Sequence, residues 1–265
     1  MRLDPLAGTA AEIAEAVSAR AVSARDVTRR TLERISALDE RINAFTDVTA
    51  DRAMAEADAV DERIAAGEWL PLAGVPFAVK NLYNLQGVVT RAGSLINRDN
   101  PPASADATLV SRLTRAGAVC LGALNMGEYA YDFTGENAHD GICRNPHALD
   151  RMSGGSSSGS GAALAAGTAA LTLGSDTNGS IRVPSAFCGV FGLKPTFGRL
   201  SRAGTFPFTH SLDHLGPMAR STRDLALAFD AMMGPDPRDL SQVVRSPLDA
   251  VAALSLPTDG LRIAV

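Results

Sequence analysis

Lys80, Ser156 and Ser180 are the residues of this chain whose types could carry nucleophilic chemistry together. The two serines stand 24 positions apart in Gly154–Pro184, GGSSSGSGAALAAGTAALTLGSDTNGSIRVP, and Lys80 lies well upstream in the apolar run GVPFAVKN. A serine hydroxyl is a weak nucleophile until a neighbouring base takes its proton, and a lysine amine can fill that role without histidine. Such a set performs acyl transfer. Gly179, directly before Ser180, permits a sharp turn that lets a substrate carbonyl approach the backbone closely. Successive amides from Thr177 to Ser180 could then hold the developing oxyanion, where losing one donor costs about 3 kcal/mol.

Each of these residues also has a plainer reading. SDTNGS is rich in turn formers and reads equally well as a surface turn. GGSSSGSG has the composition of a flexible linker, but it runs straight into the apolar, regular AALAAGTAALTLGSD. A loop delivered to a helix N-terminus is the better reading. A phosphate-binding loop would need a lysine and Ser/Thr that are missing. Lys80 alone reads as a strand-end lysine reaching solvent; buried, its pKa would fall and the neutral amine would become a base near neutral pH.

Other chemical residues are weaker candidates. Asp176 and Arg182 flank Ser180, and an arginine–carboxylate fork would brace the turn. His210 and His214 are four apart with Asp213 between them, yet no third ligand of zinc-site form follows, and Gly216-Pro217 interrupts any helix there. No metal site is expected, and these histidines, with His139 and His147 in polar loops, are assigned structural roles. Cys120, Cys143 and Cys188 form no CxxC pair, and their odd number makes a poor disulfide framework.

The elements that must position these residues can be read from periodicity. The first seventy residues read as helical. Residues 10–21 place Ile13, Ala14, Val17 and Ala21 on one face; Ser23 and Asp26 cap a second helix; a third spans 51–66 and ends near Gly67. Residues 1–70 are thus expected to pack as a helical region on a core formed by residues 71–265, in one domain overall. Residues 74–81 read as a strand, Asp106 as the cap of a helix over 107–116, and residues 118–123 as a buried strand, which implies a partly parallel sheet. Helix 160–166, strand 169–175 and a capping box at Ser221 and Asp224 opening a helix through Met233 follow. The last residues, GLRIAV, read as a strand just begun, which points to a fragment of a longer protein.

Composition narrows the classes. Hydrophobic residues make up 46% and charged residues 20% of 265, enough for a sizeable core in a globular, enzyme-like chain. A net charge of −4 disfavours a nucleic-acid surface. The N-terminus lacks the apolar core of a signal peptide, and no stretch approaches the roughly 18 apolar residues of a membrane helix, so a cytoplasmic setting is expected.

Taken together, Gly154–Pro184 and the lysine segment GVPFAVKN resemble the amidase signature family, from about residue 10 to the end. The resemblance implies an α/β fold with a mixed, largely parallel sheet covered by helices on both faces, incomplete at the C-terminus because the family domain is longer than 265 residues. It also implies a Ser–cisSer–Lys set: Ser180 as the acylated nucleophile, Ser156 as the relay serine with a cis peptide, Lys80 as the base. Thr177, Asn178, Gly179 and Ser180 would form the oxyanion loop, with Ala130 in NMGEYAY beside the substrate. Asn178 departs from the glycine of many members and would favour a small polar substrate. NMGEYAY, the SDTNGSIRVPSAFCGVFGLKPTFGRL block and SLDHLGPMARS look most like the carboxybiuret-hydrolase-type subgroup, which acts on small acyl-ureas, often with a small partner subunit. The expectation is therefore a small amide or ureide substrate, no cofactor, and a small partner subunit or homo-oligomer, with neither membrane nor nucleic acid. The amidotransferase that supplies ammonia for tRNA-dependent transamidation, in its A subunit, is the nearest rival, and an anion carrier using the glycine-rich loop a third reading.

Overall fold

Helix caps set the first elements of this computed structural model, which describes residues 8–243, 245–246 and 248–263. Thr9 and Glu12 form a reciprocal capping box that opens α1 (Ala10–Ser18). The helix is shorter than the expected 10–21, because Arg20 takes a left-handed conformation that turns the chain toward Ser23. Ser23 accepts from Asp26 N at the start of α2 (Ala24–Ile42) as expected. Then follow β1 (Phe45–Val48), α3 (Ala50–Ala65), β2 (Pro76–Lys80), α4 (Thr108–Arg115) and β3 (Val119–Leu124). Beyond them lie the hairpin β4 (Arg144–Asn145) and β5 (Ala148–Met152), α5 (Ser158–Ala165), β6 (Leu171–Asp176) and α6 (Arg182–Cys188). The chain closes with β7 (Phe191–Gly192), β8 (His214–Ala219), α7 (Thr222–Met232) and α8 (Ala250–Ala253).

Six strands pair in the order β1-β3-β2-β6-β8-β7. The centre, β3-β2-β6, is parallel, while β1, β8 and β7 join antiparallel. Every residue of β2, β3 and β6 is buried, the pattern of strands covered on both faces rather than half-exposed ones. Helix α5 packs on β6 and β2, α3 on β3, and α7 on β8. One continuous hydrophobic cluster runs from Ala10 to Met232, so α1–α3 share their core with the sheet.

Four expectations need correction. Residues 1–70 are not wholly helical: Phe45–Val48 is an edge strand on β3, too short and too polar in FTDV for periodicity to reveal. Asp106 does not cap α4; both its carboxylate oxygens are drawn to Arg52, and Oδ1 also accepts from Gln86 N. The box at Ser221 is half-formed: Ser221 accepts from Asp224 N, but Asp224 Oδ1 reaches across to Ala11 N and ties α7 to α1. Residues 260–263 form no strand, and Ile263 is 83% exposed with no ladder to bury it; residues 264–265 lie outside the described residues.

Close backbone contact explains one glycine. A Cβ on Gly159 in α5 would lie 2.3 Å from Ala44 O and 2.7 Å from Asn125 N, and backbone cannot yield as a flexible side chain can. Gly159→Ala is expected to destabilise the fold by about 2 kcal/mol through overpacking, read as a lower denaturant midpoint with unchanged m-value.

Candidate active site

Lys80 is the last residue of β2, and β2 runs parallel beside β6, so the carboxyl ends of the two strands open on the same edge. That edge is where open α/β sheets place their ligands. The Lys80 side chain is wholly buried, contrary to its plainer reading. Its Nζ donates to Ser156 Oγ at 2.6 Å and to Ser175 Oγ at 2.9 Å. Burial is the dominant influence on this amine and pushes its pKa down to about 7, while the carboxylates of Asp176, Asp213 and Asp132 pull the other way.

Ser156 is delivered by the loop ahead of α5, and the Gly155–Ser156 peptide bond is cis. The loop is held by its backbone: Gly154 N and Gly155 N donate to Thr134 O and Phe133 O, and Ser156 O accepts from Gly127 N at 3.1 Å. Gly127 opens the short turn Glu128–Ala130, which brings Ala130, buried and left-handed, into the neighbourhood of Ser156.

The turn after β6 carries Ser180, which is 3% exposed. Gly179 has φ 134°, a conformation that other residues rarely adopt. Asp176 organises the turn from within. Its Oδ1 accepts from Gly179 N and Arg182 Nη2, and its Oδ2 from Ile181 N and Arg182 Nε at 3.0 Å. Burial would raise this carboxyl, but the Arg182 fork and the two amides outweigh it and hold the pKa below the usual value. The Gly179 amide is thus committed to Asp176, which corrects the four-amide cradle expected over 177–180. Among the described residues, the amides of Thr177, Asn178 and Ser180 have no acceptor within the chain. The Asn178 side chain is exposed.

Two serines escaped sequence reasoning. Ser175 is the second partner of Lys80. Ser157 clips the relay loop to the sheet: its hydroxyl donates to Ser175 O and accepts from Ser175 N, and its own amide donates to Ser180 O at 3.2 Å. The polar run SSS before an apolar helix was the only signal for Ser157, and Ser175, at the end of the apolar run LTLGSD, had none, because neither spacing nor type separates either from a surface serine. Lys80 and Ser156 are therefore joined directly, and Ser180 is joined to this pair through Ser157 backbone; its Oγ makes no hydrogen bond among the described residues. A cleft lined by Leu82, Ser175, Phe206, Asp213 and Leu215 opens beside this cluster.

The remaining candidates are dispersed. His214 Nδ1 lies 3.1 Å from Asp176 O and its ring packs edge-on against Phe197. His139 pairs with Glu128, and His147 lies against Cys188 O. All three cysteines are buried, and burial pushes each thiol up to about 12, which removes them as thiolate nucleophiles. Among the described residues no group of three or more His, Cys, Asp or Glu is arranged to hold a metal, and no helix is long and apolar enough to cross a membrane.

The Amidase family model matches residues 26–265. The chain is 61% identical over 255 residues to AtzE, a subunit of 1-carboxybiuret hydrolase from Pseudomonas sp. (strain ADP), covering 96% of this chain and 56% of that protein. It is 48% identical over 233 residues to the A subunit of glutamyl-tRNA(Gln) amidotransferase from Pelobacter propionicus, covering 88% of this chain and 48% of that one. Among solved structures, it superposes with TM-score 0.94 and 60% identity on a chain of a vestigial protein complex bearing on the evolutionary origins of an s-triazine catabolic enzyme, covering 96% and 56%. Peptide amidase from Stenotrophomonas maltophilia gives TM-score 0.87 at 37% identity, covering 94% and 53%. The chain thus spans about half the length of the relatives it matches.

Fold and site together define an α/β chain of the amidase class, with a buried lysine–serine pair at the carboxyl edge of its sheet. The chain belongs to the amidase signature family.

Proposed function

We propose that this chain hydrolyses a small amide or acyl-urea of the carboxybiuret type through an acyl-enzyme on Ser180, releasing ammonia. The observation that carries the reading is the wholly buried Lys80 amine, 2.6 Å from Ser156 Oγ with its pKa pushed down to about 7. Near neutral pH a large fraction of this amine is uncharged and can accept a proton. Lys80 takes the proton of Ser156, Ser156 takes that of Ser180, and Ser180 Oγ bonds to the carbonyl carbon. The amides of Thr177, Asn178 and Ser180 receive the oxyanion. The relay returns the proton to the leaving nitrogen as the C–N bond breaks. Water then attacks the acyl group, gives its proton to the same relay, and Ser180 recovers its hydroxyl as the ester C–O bond breaks. Asp176 and Arg182 brace the turn, Ala130 lies beside the substrate, and neither metal nor organic cofactor enters these steps.

The substrate class is supported by the 61% identical relative, which is named as part of a 1-carboxybiuret hydrolase. That name, and the complex in which the 60% identical chain was solved, support a partner subunit, with a homo-oligomer as the alternative. Three unpaired cysteines suit a reducing compartment such as the cytoplasm.

The 48% identity to the glutamyl-tRNA(Gln) amidotransferase chain supports a second reading, ammonia supply from glutamine for transamidation. Ammonia release over biuret-like ureides, malonamide and glutamine separates the two. Turnover of the ureides without ATP or tRNA is expected; ammonia from glutamine alone, and only with ATP and charged tRNA present, would reverse the order.

A further inference from the structure

The turn that carries Ser180 is held at two ends, and only one hold comes from its own strand. Asp176 grips the amides of Gly179 and Ile181. The other end is Thr177, whose Oγ1 donates to Asp213 Oδ1 at 2.6 Å across 36 positions of sequence. Asp213 is itself fixed: it is 7% exposed, and its Oδ2 accepts from Phe208 N at 2.8 Å and Thr209 N at 2.9 Å. The Asp213 amide in turn donates to Thr209 O, and Arg202 Nη1 donates to His210 O at 2.6 Å. Segment 208–213 is therefore a closed loop with every oxygen of its carboxylate in use, and one of those bonds points outward to the nucleophile turn. The adjoining His214 Nδ1 lies against Asp176 O, so the chain just after this segment also meets the first end of the turn.

From this we infer that Asp213 is a positioning residue for the oxyanion-binding turn, acting through the Thr177 hydroxyl. The inference rests on the acyl-transfer reading given above. Thr177 and Asn178 supply two of the three uncommitted amides; Asp176 fixes the turn from Gly179 onward, and the Asp213 bond is the side-chain hold on its first residue. A misplacement of about 1 Å in such a site costs on the order of a hundredfold in rate. A purely structural carboxylate would secure only the loop 208–213. The Thr177 bond contributes nothing to that loop's closure, and it is what makes the two roles separable.

Asp213→Asn can keep both the fold and the bond, since its amide can donate to Thr177 Oγ1 while its oxygen accepts from Phe208 N and Thr209 N.

The test uses Thr177→Val, Thr177→Ser and Asp213→Asn in the whole chain, with fluorophosphonate labelling of Ser180 and ureide turnover as readouts. Thr177→Val is expected to slow both about tenfold or more while KM changes less than about threefold, and Thr177→Ser to recover most of the loss. Asp213→Asn, which keeps a bond to Thr177, is expected to stay within about threefold of wild type in both readouts, and a loss as large as that of Thr177→Val would overturn the role given to that bond. A labelled wild-type protein with Thr177→Val at wild-type rates would overturn the positioning role alone. A wild-type protein that is not labelled would overturn the nucleophile assignment, and the positioning role with it.

Discussion

Ser180→Ala is expected to reduce amide turnover by about four to six orders of magnitude, the range seen when a serine nucleophile is removed from an otherwise intact site. The structure makes this a clean experiment. Ser180 Oγ makes no internal hydrogen bond among the described residues, so its loss leaves no buried partner unsatisfied. What anchors the residue is backbone: Ser180 O accepts from Ser157 N, and the neighbouring Gly179 and Ile181 amides bind Asp176. None of these contacts involves the deleted atom. The variant should therefore unfold within about 1 kcal/mol of wild type, since one buried hydroxyl without a partner in the chain is replaced by a hydrogen. Turnover and covalent labelling should both vanish. Residual turnover within tenfold of wild type would remove Ser180 from the mechanism.

Lys80→Met carries the second large effect, and it has two independent signatures. Removing a general base costs typically about 10²–10⁴ in rate, and the relay here offers Ser156 no other amine. Hydrolysis should fall by that factor or more. In the wild-type protein the amine must be neutral to accept a proton, so kcat/KM should rise with pH through about 7 and level off above it. Folding stability follows the same proton. Burial lowers the folded-state pKa from the ordinary 10.5 to about 7, so between those values the unfolded chain binds a proton that the folded chain does not. The stability contributed by this group therefore rises with pH across that window, and the cost of the buried charge is fully present below it. Above the ordinary thiol pKa of 9 the three buried cysteines, held up to about 12, pull the other way, so the Lys80 slope is read between pH 7 and 8. Met at this position carries no proton in either state, so the slope there should disappear. Denaturant titrations at pH 7, 7.5 and 8 check this, since a slope that survives in Lys80→Met would place its origin elsewhere.

The chemistry was more legible in this chain than the frame around it. Ser156, Ser180 and Lys80 stand out because glycine-rich polar loops abut apolar segments, and that contrast survives without coordinates. The strand–helix–strand run over 76–124 and the pair α5–β6 were also readable, since their apolar lengths match buried elements. Strand β8 was not, because Gly216 and Pro217 sit inside it and both usually mark its absence. Asp106 and Asp224 had the spacing of caps, yet each carboxylate is taken by a group distant in sequence, Arg52 in one case and Ala11 N in the other. Local pattern predicts a cap only where no tertiary partner competes.

The amino-acid sequence by itself determined the types of the reacting groups and the family to which they belong, because these depend on residue identity and short spacing. Only the tertiary structure decided whether they could act. Lys80 is an ordinary strand-end lysine until β6 and α5 enclose it, for a pKa is lowered by removal of water and not by neighbours in sequence. Ser157, Ser175 and Asp213 enter for the same reason: a hydrogen bond is made between atoms that folding brings within about 3 Å, at whatever distance they stand along the chain.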